Sequence, residues 1–298
     1  MRTLGALLLV ACALLAVAFP AYSDDFDYYS ERPGMYDPEL MVNHPVNIQG
    51  LTGLLVTNSA YSQPKGRFAV GLSGLGENSS NPNYSVVQGI VSVTYGATDR
   101  IEVGVKAKEI ATNIGRASTR KTGFGDTDFL VKWRVSSQTA DLPAIAIGMA
   151  VTLPTGDRNK GMSEIKHEGV RLMLIGTHEQ EMPGGIVLGL YVDGQAVFND
   201  QLEKKNGNPY YDKYGIINAG ILFPVVESNR LQVIVEYNGV TKKSDRPDIL
   251  EQNYSAVTPA LRYVTPNFNI TAGVQFLNKD SKTFGNDQRY VGTLSYLF

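Results

Sequence analysis

The chain has 298 residues, 43% of them hydrophobic and 19% charged, with a formal net charge of −2 at pH 7. That balance excludes nucleic acid as a partner, which would call for a basic face, and the single cysteine excludes a disulfide framework. The same composition suits either a soluble globule or a transmembrane β-barrel, because in a barrel only every second strand residue meets lipid.

Met1-Arg2 gives a short positive start, Leu4 to Ala18 a small and apolar run, and Ala21-Tyr22-Ser23 a small-x-small cleavage site before Asp24-Asp25. Residues 1–23 are therefore expected to be a cleaved export signal. Leu9-Val10-Ala11-Cys12 has the wording of a lipoprotein box, but the apolar run continues unchanged past Cys12, which marks that cysteine as signal filler. Past the signal, no stretch approaches the roughly eighteen apolar residues of a membrane-spanning helix. Arg2 is the one charge within residues 1–23, so the mature chain would carry a net charge of −3.

Residues 24–40 hold six acids and one arginine. Such a run is either a solvated terminus or a tail that folds back toward a basic surface. Residues 48–58 (NIQGLTGLLVT) have some strand character, yet a strand there would begin on the wrong side of the membrane. They are expected instead to be a periplasmic or lumen-inserted segment. The competing arrangement hides one more strand in residues 24–47, which Pro33, Pro38 and Pro45 disfavour. The organisation expected is thus 1–23 signal, 24–66 an acidic, Tyr- and Pro-containing segment and candidate plug, and 67–298 a barrel.

From Arg67 onward, alternating segments of about ten residues are separated by turn clusters, the rhythm of a barrel. Arg100 to Lys108 puts Ile101, Val103, Val105 and Ala107 on one face and Arg100, Glu102, Lys106 and Lys108 on the other. Leu231–Asn238 and Phe268–Phe276 repeat the pattern. Twelve strands are expected, at 67–75, 84–96, 100–110, 126–135, 143–153, 168–178, 185–197, 214–224, 230–240, 254–264, 267–277 and 288–298. Short links such as Ala97-Thr98-Asp99 and Thr265-Pro266 alternate with longer polar ones, including Glu77–Asn83 and Phe198–Asp212. Since periplasmic turns are short and outer loops long, both ends of the barrel strand series should face the periplasm. Tyr95, Trp133, Phe223, Tyr237, Tyr263 and Phe268 near strand ends suit the interfacial aromatic girdles. In the final strand Gly292, Tyr296 and Phe298 resemble the C-terminal signal of bacterial outer-membrane proteins. That likeness implies the barrel-assembly machinery and outer-membrane lipid as partners. The fold class expected is an all-β, antiparallel, up-and-down transmembrane barrel of about twelve strands.

Assigning the polar face inward yields a candidate lumen lining of Arg67, Arg100, Glu102, Lys106, Lys108, Asp126, Asp128, Lys132, Arg134, Arg171, Asp193, Arg230, Glu236 and Arg262. These charges either line a narrow path or pair with one another and close it. Ala144, Ala146, Gly148 and Ala150 are small and inward, which is expected to leave space beside them. Asp126 and Asp128 share a face and could hold a cation, although Lys132 and Arg134 on that face favour ion pairing.

Gly123 to Arg134 (GFGDTDFLVKWR), Pro143 to Gly148 (PAIAIG) and Val151 to Asp157 (VTLPTGD), with Tyr95 to Glu102 before them, resemble the MetA-pathway-of-phenol-degradation family of outer-membrane transporters. The resemblance covers residues 95–157. It implies a monomeric barrel in the outer membrane that passes small organic, aromatic or hydrophobic, molecules. As chemistry, Gly-x-Gly-Asp and Pro-Thr-Gly-Asp are turn sequences. Neither has the setting of a nucleotide site. The histidines are His44, His167 and His178, no GxSxG elbow occurs, and no zinc-ligand motif is present. No catalytic residue, cofactor or metal is expected. Two functions remain, a channel for a small-molecule solute and a structural or docking barrel with no continuous pore.

Overall fold

A computed structural model describes residues 45–80, 83–114, 119–139, 141–157, 163, 165, 168–182, 186–205, 208–225, 230–243, 254–265, 267–279 and 287–298. The expected signal, the acidic run, Cys12, His44 and His167 lie outside the described residues.

Alternating apolar and polar positions bury one face of each strand against the lumen and present the other outward. The strands are β1 (Phe68–Ser80), β2 (Asn83–Gly96), β3 (Ile101–Ile114), β4 (Thr119–Phe124), β5 (Thr127–Ser136), β6 (Ala144–Leu153), β7 (Gly169–Met182), β8 (Ile186–Lys205), β9 (Asn208–Pro224), β10 (Leu231–Lys243), β11 (Tyr254–Val264), β12 (Phe268–Lys279) and β13 (Asp287–Leu297). All neighbours pair antiparallel in sequence order, and β1 pairs with both β2 and β13, so the sheet closes. β4 and β5 are two pieces of one wall strand. Both pair with β3, and they part at Gly125-Asp126, where Gly125 N–H still donates to the Lys108 carbonyl at 2.8 Å. The barrel is therefore twelve-stranded. Phe298 N–H donates to the Phe68 carbonyl at 2.8 Å, and their rings stack at 4.7 Å, so the last residue of the chain seals the closing seam.

The outward face carries Leu72, Val91, Ile147, Leu174, Ile217 and Leu261, all exposed on the barrel wall. Exposed apolar side chains over a whole barrel surface are what lipid requires. Two outer connections differ from the expected loops. β1 and β2 run on to Ser80 and Asn83, and β8 and β9 to Lys205 and Asn208, so Glu77–Asn83 and Phe198–Asp212 are extended hairpins rather than loops. Strand pairing satisfies backbone groups that a loop would leave to water.

Residues 45–66 are not a wall strand. Their backbone makes isolated bridges, Val46 with Thr52 and Gly53 with Asn58 inside the segment, and Lys65 with Gly96 at the wall. The segment turns back on itself within the lumen, with Gly50 at φ +85° making the bend that a side chain would strain. Pro64 and Lys65 lie beside Gly96 at the end of the barrel that bears the short links, and Val46 packs on Ala69 and Leu297 there too. Leu54 meanwhile reaches the wall at Gly220, where a Cβ would come within 2.4 Å of Leu54 Cδ1. Residues 45–66 thus fill the half of the barrel that bears the short links between strands.

Candidate functional site: a lumen closed by residues 45–66

Six backbone hydrogen bonds fold the segment on itself, among them Ile48 N–H to Leu55 O and Ser59 N–H to Thr52 O, and wall side chains take up many of the peptide groups that remain. Inward side chains of the wall strands supply the partners. Glu236 on β10 accepts from Thr57 N–H at 2.7 Å and Val56 N–H at 3.1 Å. Asp193 on β8 accepts from Asn58 N–H at 2.6 Å. Glu102 on β3 accepts from Thr52 N–H at 3.0 Å and Gln63 N–H at 2.8 Å. The cations serve the carbonyls. Lys132 on β5 donates to Ser59 O at 2.9 Å, Tyr61 O at 2.6 Å and Thr52 Oγ1, while sitting 3.2 Å from Glu102. Arg262 on β11 donates to Gly53 O at 3.0 Å. Thr177 on β7 accepts from Ala60 N–H at 2.9 Å. Within the segment Asn47 donates to Thr57 O and Asn58 Oδ1, tying its two limbs together.

Glu102, Lys132, Asp193 and Glu236 are fully buried. Charges out of water persist only when paired and hydrogen-bonded, and here much of that pairing comes from the segment's backbone. The carboxylates and cations that alternation placed inward therefore dock a polypeptide.

Apolar contacts complete the fit. Leu51, Ala60 and Tyr61 pack on Leu130, Ala144, Ala146, Ala150, Met173 and Ile175. The space expected beside Ala144, Ala146 and Ala150 is thus occupied, because small wall residues leave room for Tyr61 and Leu51 of the segment. Leu54 and Leu55 pack on Tyr191, Leu222, Ile234, Ala260 and Val291. Tyr61 Oη donates to Gln138 Oε1 at 2.9 Å, and the Arg134 guanidinium lies 5.8 Å from the Tyr61 ring centre.

Above the segment a belt of side chains runs round the wall from β3 to β1. Lys106 pairs with Asp128 at 2.6 Å, and Asp128 also meets Arg171 at 3.5 Å and Thr152 at 2.7 Å. Arg171 and Gln195 both donate to Gln49 of the segment. Gln195 and Asn218 donate to Asp193, and Asn238 to Asn218. Thr258 and Gln275 converge on Asn238 Oδ1 at 3.1 and 3.0 Å, and Arg289 joins Gln275 to Glu77 at 3.0 and 2.6 Å. Asn218, Glu77 and Arg289 escaped the sequence reading as lumen residues, and Asn238 and Gln275, on the polar face of their strands, were not among the lumen candidates. Their signal was the same inward alternation that revealed the charges.

The fourteen candidate lumen residues divide by position. Glu102, Lys132, Asp193, Glu236 and Arg262 hold the segment, and Arg134 lies beside it. Lys106, Asp128 and Arg171 sit in the belt. Lys108 packs against Gly125, and Asp126 accepts from Gly156 N–H at 3.1 Å, so these two stand at the outer break in the β4/β5 wall strand. Arg67, Arg100 and Arg230 are exposed at the strand ends beside the short links rather than lining the lumen, since alternation fixes a face and not a depth. Asp128 is engaged by Lys106, Arg171 and Thr152, and no cluster of metal-binding side chains occurs among the described residues. His178 is on the outward parity of β7, opposite in face to the buried Thr177. The two turn motifs, GFGD and LPTGD, touch one another. Thr155 Oγ1 donates to Gly125 O at 3.2 Å and Asp157 N–H to Phe124 O at 3.0 Å, so they brace adjoining strand ends.

A closed twelve-stranded antiparallel barrel with an apolar exterior and a polar interior is the fold of outer-membrane barrels. Solved structures agree. The chain is similar to an outer membrane channel from Pseudomonas putida F1, with 12% identity, TM-score 0.57, and 80% of this chain and 98% of that one covered. It is similar also to the NanC porin, with 9% identity, TM-score 0.52 and coverage of 76% and 98%, and to the KdgM porin, with 9% identity, TM-score 0.50 and the same coverage. At such identities the likeness concerns the fold. No family model and no curated protein matches the chain, so the resemblance of residues 95–157 to the phenol-pathway family stands on its motifs.

Proposed function

We propose that the protein is an outer-membrane channel for small organic solutes, delivered there after loss of residues 1–23 and closed at rest by residues 45–66. The observation that carries this reading is the chemistry of the wall behind the segment. Thr94, Glu102, Lys132, Thr177, Asp193, Glu236 and Arg262 bond to it, and Ser92, Thr271, Thr293 and Ser295 are buried on the same inward face of the wall. A wall of that kind wets when vacated, whereas a core that exists only for stability is better served by apolar residues of similar volume. The wall also closes on itself through its own ladders, so the barrel does not need the segment to complete its sheet. The aromatic-ended β13, read by the assembly machinery, brings the chain into the membrane. No residue is assigned a catalytic role.

The packing of Leu51, Leu54, Leu55 and Tyr61 favours a second reading, a permanently shut structural barrel. Single-channel conductance in planar bilayers separates the two. The mature chain is expected to be silent or rarely open, and a chain lacking residues 24–62 to give sustained steps. Silence from the deleted form, with folding verified by heat-modifiable gel mobility, would overturn the channel. N-terminal sequencing of membrane-extracted protein should begin at Asp24.

A further inference from the structure

The wall holds residues 45–66 by the groups that every peptide repeats. Leu54 to Thr57 show this most plainly. Glu236 accepts from two successive backbone groups, Val56 N–H at 3.1 Å and Thr57 N–H at 2.7 Å. Beside them Arg262 donates to the Gly53 carbonyl at 3.0 Å, and Leu54 and Leu55 enter the apolar cluster of Tyr191, Leu222, Ile234 and Val291. A carboxylate for N–H, a guanidinium for C=O and a pocket for aliphatic side chains make a peptide-binding surface. Only the two leucines are particular to this stretch of chain.

The same chemistry continues in the belt above the segment. Gln195 and Asn218 donate to Asp193, Asn238 to Asn218, and Gln275 to Asn238, so the belt is in large part a run of side-chain amides. An amide side chain carries both the donor and the acceptor of a peptide unit. Two atoms of the belt are unfilled. Gln195 Oε1 and Arg171 Nε are buried without a hydrogen-bond partner among the described residues. They belong to the two side chains that donate to Gln49 of the segment, at 2.9 and 3.3 Å. Buried polar atoms without partners are rare and call for a reason. One is an acceptor and the other a donor, which a single peptide unit satisfies with its N–H and its C=O. An apolar molecule satisfies neither, and a simple ion satisfies one.

We infer that the solute admitted by this lumen is a short peptide, which is met at the belt by Arg171 and Gln195 and then displaces residues 54–57 from Glu236 and Arg262. The inference rests on the channel reading and names its substrate class. The segment is in effect a resident ligand. It keeps the buried charges of the wall satisfied while no solute is present, and it yields to a second peptide that makes the same bonds, so the exchange strips no charge of its partner. A tethered ligand has a local concentration in the millimolar range, so displacement takes peptide at that level.

The test compares acetyl-Leu-Leu-Val-Thr-amide, which repeats residues 54–57, with its ester analogue, in which oxygen replaces the threonine N–H that meets Glu236. In the mature chain, millimolar peptide is expected to raise protease cleavage within residues 45–66, and the ester to need a concentration about tenfold higher for the same effect, as loss of one hydrogen bond to a charged group requires. In the chain lacking residues 24–62, with folding verified by heat-modifiable gel mobility, the peptide should block conductance reversibly, with the same preference over the ester. Should that form fail to fold, the cleavage ratio in the mature chain decides. Equal potency of peptide and ester would overturn the peptide class and assign the site to its apolar pockets alone. No action of either compound on either form would overturn it too, with the channel standing if the deleted form conducts. Peptide-selective cleavage with a folded but silent deleted form would uphold the peptide site and overturn the channel.

Discussion

The wall and the segment it encloses are held by opposite means. Each wall strand is bonded to two neighbours by backbone ladders, such as the thirteen pairs of β1 with β2 from Phe68 with Tyr95 to Ser80 with Asn83. The segment is held by side chains, three carboxylates on its N–H groups and two cations on its carbonyls. A ladder opens only by tearing the sheet, whereas side-chain bonds can be replaced by water entering a polar lumen. The difference teaches which part can move, and the two apolar clusters set how far it resists.

Removing one charge from the dock should separate the two modes most sharply. Lys132→Ala leaves Glu102 buried beside it, and losing one partner of a buried pair costs about 3–5 kcal/mol. The expected outcome is looser binding of the segment, read as frequent channel opening, with heat-modifiable mobility retained because the wall is intact. A barrel that fails to fold would mean that wall and segment are one unit. Glu236→Ala should come next, since Val56 and Thr57 N–H groups lose their acceptor at about 1–3 kcal/mol. Protease accessibility of residues 45–66 in detergent is the measure, and an unchanged cleavage rate would break the comparison. Gly104→Val tests fit rather than charge. A Cβ there meets the Gly50 carbonyl at 2.8 Å, a backbone atom that cannot turn aside, and overpacking of this kind costs about 1–3 kcal/mol. Intermediate open times in bilayers are expected. Tyr61→Phe removes one hydrogen bond to Gln138 and keeps the ring in place, so a change of about 1 kcal/mol or less is expected in urea unfolding.

Much of the wall was legible in the sequence. Period-two alternation in Arg100–Lys108 or Leu231–Asn238 is a local property of the chain, and a barrel preserves it because each strand has one wet and one lipid face. Strand ends were less legible. The hairpins of β1 with β2 and β8 with β9 run beyond the apolar pattern, since pairing there depends on a partner strand and not on lipid. The inward position of Glu102, Lys132, Asp193, Glu236 and Arg262 followed from parity, but their partners did not. Those partners are backbone atoms 39 to 209 residues away in the chain, and no local pattern encodes them. The lumen position of residues 48–58 was among the expectations, but the contacts of residues 45–66 resisted reading for the same reason. Asn47, Gln49, Thr52, Asn58 and Gln63 alternate with Leu51, Leu54 and Leu55 in no fixed period, because each side chain answers a different strand of the wall.

The sequence by itself determined a twelve-stranded antiparallel wall, its polar interior and its aromatic closing strand. All of these follow from periodicity and turn lengths along the chain. Tertiary structure alone decided how residues 45–66 seat in the lumen, which strands they meet, and that the inward charges bind their backbone. Those are matters of depth and facing, and they exist only once twelve strands have closed around a segment that belongs to none of them.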